Sequence, residues 1–179
     1  MNDFTSYINY TGLRSGDADF EGYVSNGDIN KNGLIDSYDI STVATKLNGG
    51  TKESPKPTLR GKLTLSSSKK SYKAGEIVEI LVNAEGLRDV NAFSFALPYS
   101  AEELEYLGIE NKNTGKMENL TNDRLHSNGN KALYPTFVNI GDQEVLSIES
   151  GQILIIRFKA KRNLQFNLQA IDGLLVDKK

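Results

Sequence analysis

The chain has 179 residues with 38% hydrophobic and 25% charged residues, a net charge of −2 and a pI of about 5.5. Its length accommodates one domain or two small ones, and its apolar share is sufficient for an ordinary core. The weak net charge provides no field that would attract nucleic acid or an anionic membrane surface, so neither is an expected partner. The absence of cysteine excludes disulfides, thiolate nucleophiles and cysteine zinc sites.

A glycine- and proline-rich stretch divides the sequence into two parts. The segment 48–58 joins two glycines to two prolines with no large apolar residue between them, a composition typical of linkers. We therefore predict a lead-in over residues 1–14, a short module over residues 15–50, a linker over residues 51–60 and a second domain over residues 61–179.

One amphipathic helix is predicted just before the linker. Its apolar residues, at positions i, i+3, i+4 and i+7, are Ile40, Val43, Ala44 and Leu47. This spacing places them along one face of a helix from about Asp36 to Leu47. Asn48 and Gly49 follow, and both tolerate the left-handed conformation that is common just past a helix C-terminus.

After the linker, apolar residues recur at every second position. The alternating segments are Val78–Ala84, Phe93–Leu97, Leu154–Ala160 and Phe166–Ala170. A period of two predicts β-strands, and its repetition here indicates antiparallel sheets. Glycine-containing breaks between these runs favour a two-sheet antiparallel β-sandwich over a barrel.

The segment from Asp28 to Asp39 has the residue pattern of an EF-hand-type calcium loop. Its predicted ligands are Asp28, Asn30, Asn32, Leu34 through its carbonyl, Asp36 and Asp39. Ca²⁺ takes six to eight oxygen ligands, so ligands recur on alternate residues as the chain wraps the ion. Gly33 permits the sharp turn, and Ile35 is expected to point into the core. Asp39 replaces the usual glutamate at the last loop position, so its shorter arm requires a closer approach of the helix.

An acidic segment ahead of this loop repeats part of the pattern. Its candidate ligands are Asp17, Asp19 and Glu21, and it ends on Asp28, which is already the first ligand of the main loop. One carboxylate would have to serve two sites with no helix between them. We therefore interpret this segment as an acidic turn and predict a single Ca²⁺ site.

The stretch Gly27–Ile40 resembles the calcium-loop repeat of dockerins, including the aspartate at the last loop position and the aliphatic residue after it. Dockerins usually carry two such repeats, whereas this sequence has one well-formed repeat. In that family recognition residues fall at loop positions 10 and 11, so the resemblance implies that Ser37 and Tyr38 face a protein partner. The alternative for Tyr38 is that it packs beneath the helix.

The second part of the sequence resembles a cohesin domain. The segments that carry this resemblance are Tyr72–Ile80, Gly86–Leu97 and Gly151–Ala160. Together the two resemblances imply a mainly β protein, in which a small α calcium-loop module of EF-hand-like, dockerin type is joined to a two-sheet antiparallel β-sandwich of cohesin-like jelly-roll form.

One strand of this sandwich is a candidate docking surface. If its large apolar residues face the core, the alternation turns Ala92, Ser94 and Ala96 outward as a flat strip of small side chains. The matching strand in cohesins belongs to the dockerin-binding sheet, so the resemblance implies that these three residues bind a partner. The alternative is an ordinary solvent-facing strip.

No residue pattern supports catalysis. His126 is the only histidine and lies in a polar stretch where we expect a surface loop, without the neighbours that a zinc centre or a catalytic triad requires. The leading hypothesis is a non-catalytic, calcium-dependent protein–protein interaction module whose partner is a cohesin or dockerin module in the same chain or in another copy.

The resemblances also imply a setting for this chain. Cohesin and dockerin neighbours imply the C-terminal appendage of a secreted bacterial polysaccharide-degrading enzyme, located outside the cell or at its surface, through which carbohydrate would be reached. Residues 1–20 lack the features of a signal peptide. Two alternatives remain: a structural spacer whose two parts pack on each other, and a carbohydrate-binding sandwich. The aromatic candidates for the latter are Tyr72, Tyr99, Tyr106 and Tyr134.

Overall fold

A computed structural model of the chain describes residues 9–22, 24–47, 61–140, 144–168 and 173–177. A 3₁₀ turn (Val24–Gly27) precedes the helix α1 (Ser37–Leu47). The strands are β1 (Lys62–Ser67), β2 (Ser71–Tyr72), β3 (Ile77–Phe95), β4 (Leu97–Tyr99), β5 (Leu104–Asn111), β6 (Glu118–Asn119), β7 (Asn122–Leu125), β8 (Lys131–Tyr134), β9 (Thr136–Val138), β10 (Leu146–Ala160), β11 (Leu164–Gln165) and β12 (Gly173–Asp177). The predicted linker lies outside the described residues.

The long strand β3 organises a mainly antiparallel sandwich. A seven-stranded sheet has the order β5-β10-β3-β9-β6, with β1 and β12 also paired with β3. A three-stranded sheet has the order β4-β8-β7, and β2 pairs with β11. The chain passes between the two larger sheets at Ala96 and again at Pro135. The prediction of a mainly β sandwich is confirmed.

Three of the four predicted alternating segments supply the main core. Their inward residues, all buried in one cluster, are Val78, Ile80, Val82, Ala84, Phe93, Phe95, Leu97, Leu154, Ile156, Phe158 and Ala160. The fourth prediction is wrong for Phe166 and Leu168, which follow β11 outside any strand, and Ala170 is outside the described residues. Phe166 packs edge-on against Tyr72 at 6.0 Å between ring centroids. Its apolar character therefore reflects core packing without strand pairing.

Helix α1 begins one residue later than predicted and buries a more polar face. Ile40 and Ala44 are buried as expected, but Leu47 is 63% exposed. Ser37 and Ser41, one turn apart, are fully buried instead. Compared with the predicted apolar face, the buried face of the helix is shifted toward Ser37 and Ser41, which face the sheet. None of the helices in the described part of the chain is long and apolar enough to span a bilayer.

The segment that we assigned to the lead-in forms backbone hydrogen bonds with the predicted calcium loop. Gly12 N donates to Ile35 O at 2.8 Å, and Ile35 N donates to Leu13 O at 2.9 Å. Arg14 and Leu34 form an isolated antiparallel bridge. The predicted boundary between residues 14 and 15 thus falls inside this pairing, and we refer to residues 9–47, where described, as the N-terminal module.

The stacked pair Phe93–Phe137 provides a test of the main core. Both rings are fully buried, with centroids 5.2 Å apart and an angle of 11° between their planes. We expect Phe93→Ala to lower the free energy of unfolding by about 3–5 kcal/mol, because it removes a large buried side chain and leaves a cavity. The control Leu125→Ala alters a side chain that is 69% exposed and should change stability by less than about 0.5 kcal/mol. Urea denaturation followed by circular dichroism measures the stability of both variants. Equal losses of stability in the two variants would contradict the place of Phe93 in the main core.

Candidate functional site

Helix α1 lies against the outer face of the seven-stranded sheet, over β3, β9 and β12. A hydrophobic cluster separate from the main core fills this contact, and we call it the docking cluster. Its buried members are Leu13, Phe20, Val24, Ile35 and Ile40 from the N-terminal module, and Ala92, Leu120 and Val138 from the sandwich. The two parts of the chain therefore share one apolar core.

Buried hydroxyl and amide groups cross the same contact. Ser37 Oγ lies 2.8 Å from Ser94 Oγ, and Ser37 N donates to Ser94 Oγ at 3.4 Å. One helical turn further on, Asn91 Nδ2 donates to Ser41 Oγ at 2.8 Å. Because all four side chains are buried, these hydrogen bonds satisfy groups that would otherwise be costly to remove from water.

The structure brings together some of the residues assigned to partner binding. Ser37 contacts Ser94, and Ala92 is completely covered within the docking cluster. Tyr38 is half-buried and packs against that cluster. Ala96 is half-buried and lines a separate cavity of about 810 Å³ beside Leu97, so it is not among the contacts of α1 described above.

The predicted calcium loop is closed by hydrogen bonds from its own backbone. Asp28 Oδ1 accepts from Asn32 N at 3.1 Å and its Oδ2 accepts from Gly33 N at 2.8 Å. Asn30 Oδ1 and Asn32 Oδ1 accept from the amides two residues further along the chain. Gly33 has φ of 83°, in the left-handed region that glycine adopts without strain. The loop therefore turns sharply where predicted.

The last two predicted carboxylate ligands connect the loop to the helix. Asp36 Oδ1 accepts from Tyr38 N at 2.8 Å, and Asp36 Oδ2 accepts from Asn32 Nδ2 at 2.8 Å. Asp39, in the first turn of α1, accepts from Ile29 N at 2.7 Å and from Asp36 N at 3.0 Å. Asp39 thereby joins the beginning of the loop to its end.

These carboxylates are buried close to one another. Asp28, Asp36 and Asp39 are at most 5% exposed. Burial raises the pKa of Asp36, and the charge of Asp28 adds to this rise. Burial, followed by the negative charge of Asp36, raises the pKa of Asp39 to about 7. Within the described residues no lysine or arginine forms an ion pair with any of the three.

The donor chemistry of this loop suits a hard divalent cation. Its predicted ligands are all oxygens, from three carboxylates, two amides and the carbonyl of Leu34, and calcium prefers such a set. In the described part of the chain no three acidic, histidine or cysteine side chains are arranged to hold a metal ion by themselves. The asparagine and carbonyl oxygens would therefore be needed to complete the coordination sphere.

The acidic segment ahead of the loop contacts the sandwich. Asp17 is buried, and its Oδ2 lies 2.6 Å from His126 Nδ1 while its Oδ1 accepts from Ser127 N at 3.0 Å. Burial alone would raise the pKa of Asp17, but hydrogen bonds from Ser127 and His126 hold it below its usual value. Asp19 and Glu21 are exposed, so these three carboxylates do not share one environment.

The expectation that His126 lies in a surface loop is wrong. Its side chain is 3% exposed, and Nε2 lies 2.6 Å from the Tyr134 hydroxyl. It is buried because the N-terminal module covers the hairpin formed by β7 and β8. Arg124 Nε also donates to Thr11 O at 2.9 Å, and Ala18 N donates to Ser127 Oγ at 2.8 Å. We call this set of polar interactions the hairpin contact. No sequence pattern indicated it.

The sequence model of the cohesin domain matches residues 61–178. The chain belongs to the cohesin family. Cohesin domains are non-catalytic protein–protein interaction modules that bind dockerins. The family match begins after the N-terminal module, so it covers the cohesin domain and not the predicted calcium loop. Comparison with curated proteins gives no match.

Solved cohesin structures are similar to this chain at low identity. A type I cohesin–dockerin complex from Clostridium thermocellum has 17% identity and a TM-score of 0.44, covering 61% of this chain and 70% of that one. A type II cohesin from Acetivibrio cellulolyticus has 12% identity and a TM-score of 0.43, with coverages of 66% and 84%. The cohesin module of a Clostridium perfringens family 33 glycoside hydrolase has 11% identity and a TM-score of 0.42, with coverages of 67% and 97%. The family assignment rests on the sequence match.

The contact between α1 and the cohesin domain can be tested at Ala92. Ala92→Phe inserts a large ring where no space remains, and such overpacking costs about 1–3 kcal/mol. We expect amide hydrogen exchange of α1 to accelerate about tenfold or more, while the central strands β3 and β10 keep their protection. Ala101→Phe is the control, because Ala101 is exposed. Unchanged exchange of α1 in the Ala92 variant would contradict the contact.

Proposed function

We propose that this chain is a non-catalytic, calcium-dependent protein–protein interaction module. In this proposal the outer face of its cohesin sheet receives a dockerin-like calcium-loop module, and the module that it receives is its own. The observation that carries the proposal is the 2.8 Å contact between Ser37 Oγ and Ser94 Oγ. It joins two of the five residues that the sequence assigned to recognition, one from each of the two opposite partners.

Calcium has a structural role in this proposal. The residues that would hold it are Asp28, Asn30, Asn32, Leu34, Asp36 and Asp39. The bound ion supplies positive charge that offsets the burial of three carboxylates without basic partners. Because Ser37 lies between Asp36 and Asp39, ordering these two side chains also orders the first turn of α1, which contacts the sheet. Ion binding to the folded chain alone adds its free energy to folding.

We also propose an extracellular or cell-surface location, because cohesins belong to extracellular cellulosome scaffolds. A neighbouring cohesin and dockerin-like module further support an appendage of a bacterial polysaccharide-degrading enzyme. Partner modules on other proteins would then be bound through surfaces that the N-terminal module leaves open, and carbohydrate would be reached through the enzyme.

The carbohydrate-binding alternative has weaker support from the aromatic candidates. Tyr72 and Tyr134 are buried, and Tyr99 and Tyr106 are half-buried. Tyr99 packs edge-on against Phe158 at 4.8 Å between ring centroids. A sugar platform requires exposed rings, so these four residues favour core packing. A glycan array with specific hits would revive this alternative, whereas an absence of hits supports the interaction module.

The calcium proposal is tested by titration calorimetry and chelation. We expect one Ca²⁺ per chain, its loss in Asp28→Ala, and its retention in Asp19→Asn, the matched control at an exposed carboxylate. At calcium concentrations about 1,000 times the dissociation constant, binding stabilises the N-terminal module by about 4 kcal/mol. Chelation should therefore lower the melting temperature of this module and leave the sandwich transition in place. Identical thermal transitions with and without chelator would refute the proposal.

A further inference from the structure

The N-terminal module is held on the cohesin domain by two separate surfaces. One is the docking cluster under α1, and the other is the hairpin contact at β7 and β8. The two are linked inside the module by the backbone pairing of Leu13 with Ile35. We propose that the hairpin is a second docking surface, which recognises Gly12 and Asp17 of the chain's own N-terminal segment and keeps the sheet face closed. This inference rests on the proposed function.

The hairpin contact is centred on a buried chain of three side chains. Asp17, His126 and Tyr134 are 5%, 3% and 6% exposed. Because the Asp17 carboxylate can only accept, His126 Nδ1–H donates to it, and in the neutral ring Nε2 then accepts the Tyr134 hydroxyl proton. Asp17 accepts further from Arg14 N and Ser127 N. His126 Nδ1 and Ser127 N therefore have these hydrogen-bond acceptors only when Asp17 is in place.

This arrangement gives the hairpin selectivity for its occupant. A docked segment without a carboxylate at this point would bury the His126 Nδ1–H without an acceptor. A hydrogen bond to a charged group is worth roughly 10- to 100-fold in an equilibrium constant, and leaving a buried partner unpaired costs at least as much. Selectivity of this kind acts by penalising the wrong partner. A dockerin-like module without the aspartate would therefore bind roughly 10- to 100-fold more weakly.

The hairpin also recognises shape. Gly12 has φ of 85°, and a Cβ built on it would lie 2.4 Å from Cδ2 of Tyr134. A residue other than glycine therefore clashes with the tyrosine ring. Arg124 donates to the carbonyls of Asn9 and Thr11 on the same segment. The occupant must accordingly present a glycine, an aspartate five residues later and two carbonyls that accept hydrogen bonds from Arg124, which this chain supplies itself.

The test is a double-mutant cycle on the intact chain in calcium, read by amide hydrogen exchange. We expect Asp17→Asn and His126→Ala each to raise the opening of the N-terminal module by roughly 10- to 100-fold. The double variant should open little more than either single variant, because both remove the same interaction. His126→Asn keeps a donor near the position of Nδ1 and should open less than His126→Ala. Asp19→Asn is the matched control and should match the wild type.

The decisive readout is exchange in α1, which does not touch Asp17. If Asp17 holds the whole module in place, its replacement accelerates amide exchange at residues 37–47. If its role is purely local, its replacement accelerates exchange only near residues 9–22. Acceleration confined to residues 9–22, or additive effects in the double variant, would overturn the inference. Calcium stoichiometry should stay at one in Asp17→Asn. If the proposed function fails instead, chelation leaves α1 exchange unchanged in the wild type.

The occupant is identified by oligomeric state. Sedimentation velocity of the wild type in calcium should show a monomer up to about 100 μM, because a linked segment has an effective concentration near the millimolar range. A dimer that separates on chelation would show that the segment comes from a second copy, which would overturn recognition within one chain.

Discussion

The direct serine–serine contact between α1 and β3 requires small side chains on both surfaces, and the arrangement of the chain depends on it. On the sheet, Ala92 and Ser94 lie under the helix, and on the helix Ser37 contacts Ser94 while Ser41 accepts from Asn91. The serines contribute hydrogen bonds at short range without the volume of larger polar residues. The same strand turns Phe93 into the main core. Packing of the sandwich and docking of the helix therefore depend on one alternating strand.

The predicted calcium loop adjoins this contact. Asp36 and Asp39 flank Ser37, and both are buried together with Asp28. Burial first, and neighbouring carboxylate charges second, raise the pKa values of Asp36 and Asp39. A divalent cation bound in the loop would offset these negative charges where the helix begins. In our proposal calcium acts on partner binding through the geometry of the first helical turn, without contacting the sheet.

The N-terminal module has little core of its own. The buried residues that it contributes, such as Phe20 and Ile40, are in a cluster completed by Ala92, Leu120 and Val138 of the cohesin domain. A short polar segment can rarely bury enough apolar surface to fold alone. The shared cluster, the hairpin contact and the proposed ion together supply what the segment lacks. The family match, which covers residues 61–178, therefore describes only part of the structural unit.

Local patterns in the sequence determined those features that depend on near neighbours. Alternation over a few residues predicted that Phe93, Phe95 and Leu97 face the core, and they do. Spacing over one loop predicted the turn at Gly33 and the helix that follows Asp36. Each of these depends on periodicity of the backbone, which a short window of sequence reveals.

Only the tertiary structure decided how the two parts of the chain meet. Asp17 and His126 are 109 residues apart in sequence, and no local pattern predicts that a polar loop will be covered by a distant segment. The exposure of Leu47 and the burial of Ser41 have the same origin, because the orientation of α1 is set by the surface against which it packs. The sequence by itself determined the three alternating core segments, the turn of the loop and the helix. Contacts between distant segments decided which faces of these elements were buried, because burial depends on the whole fold.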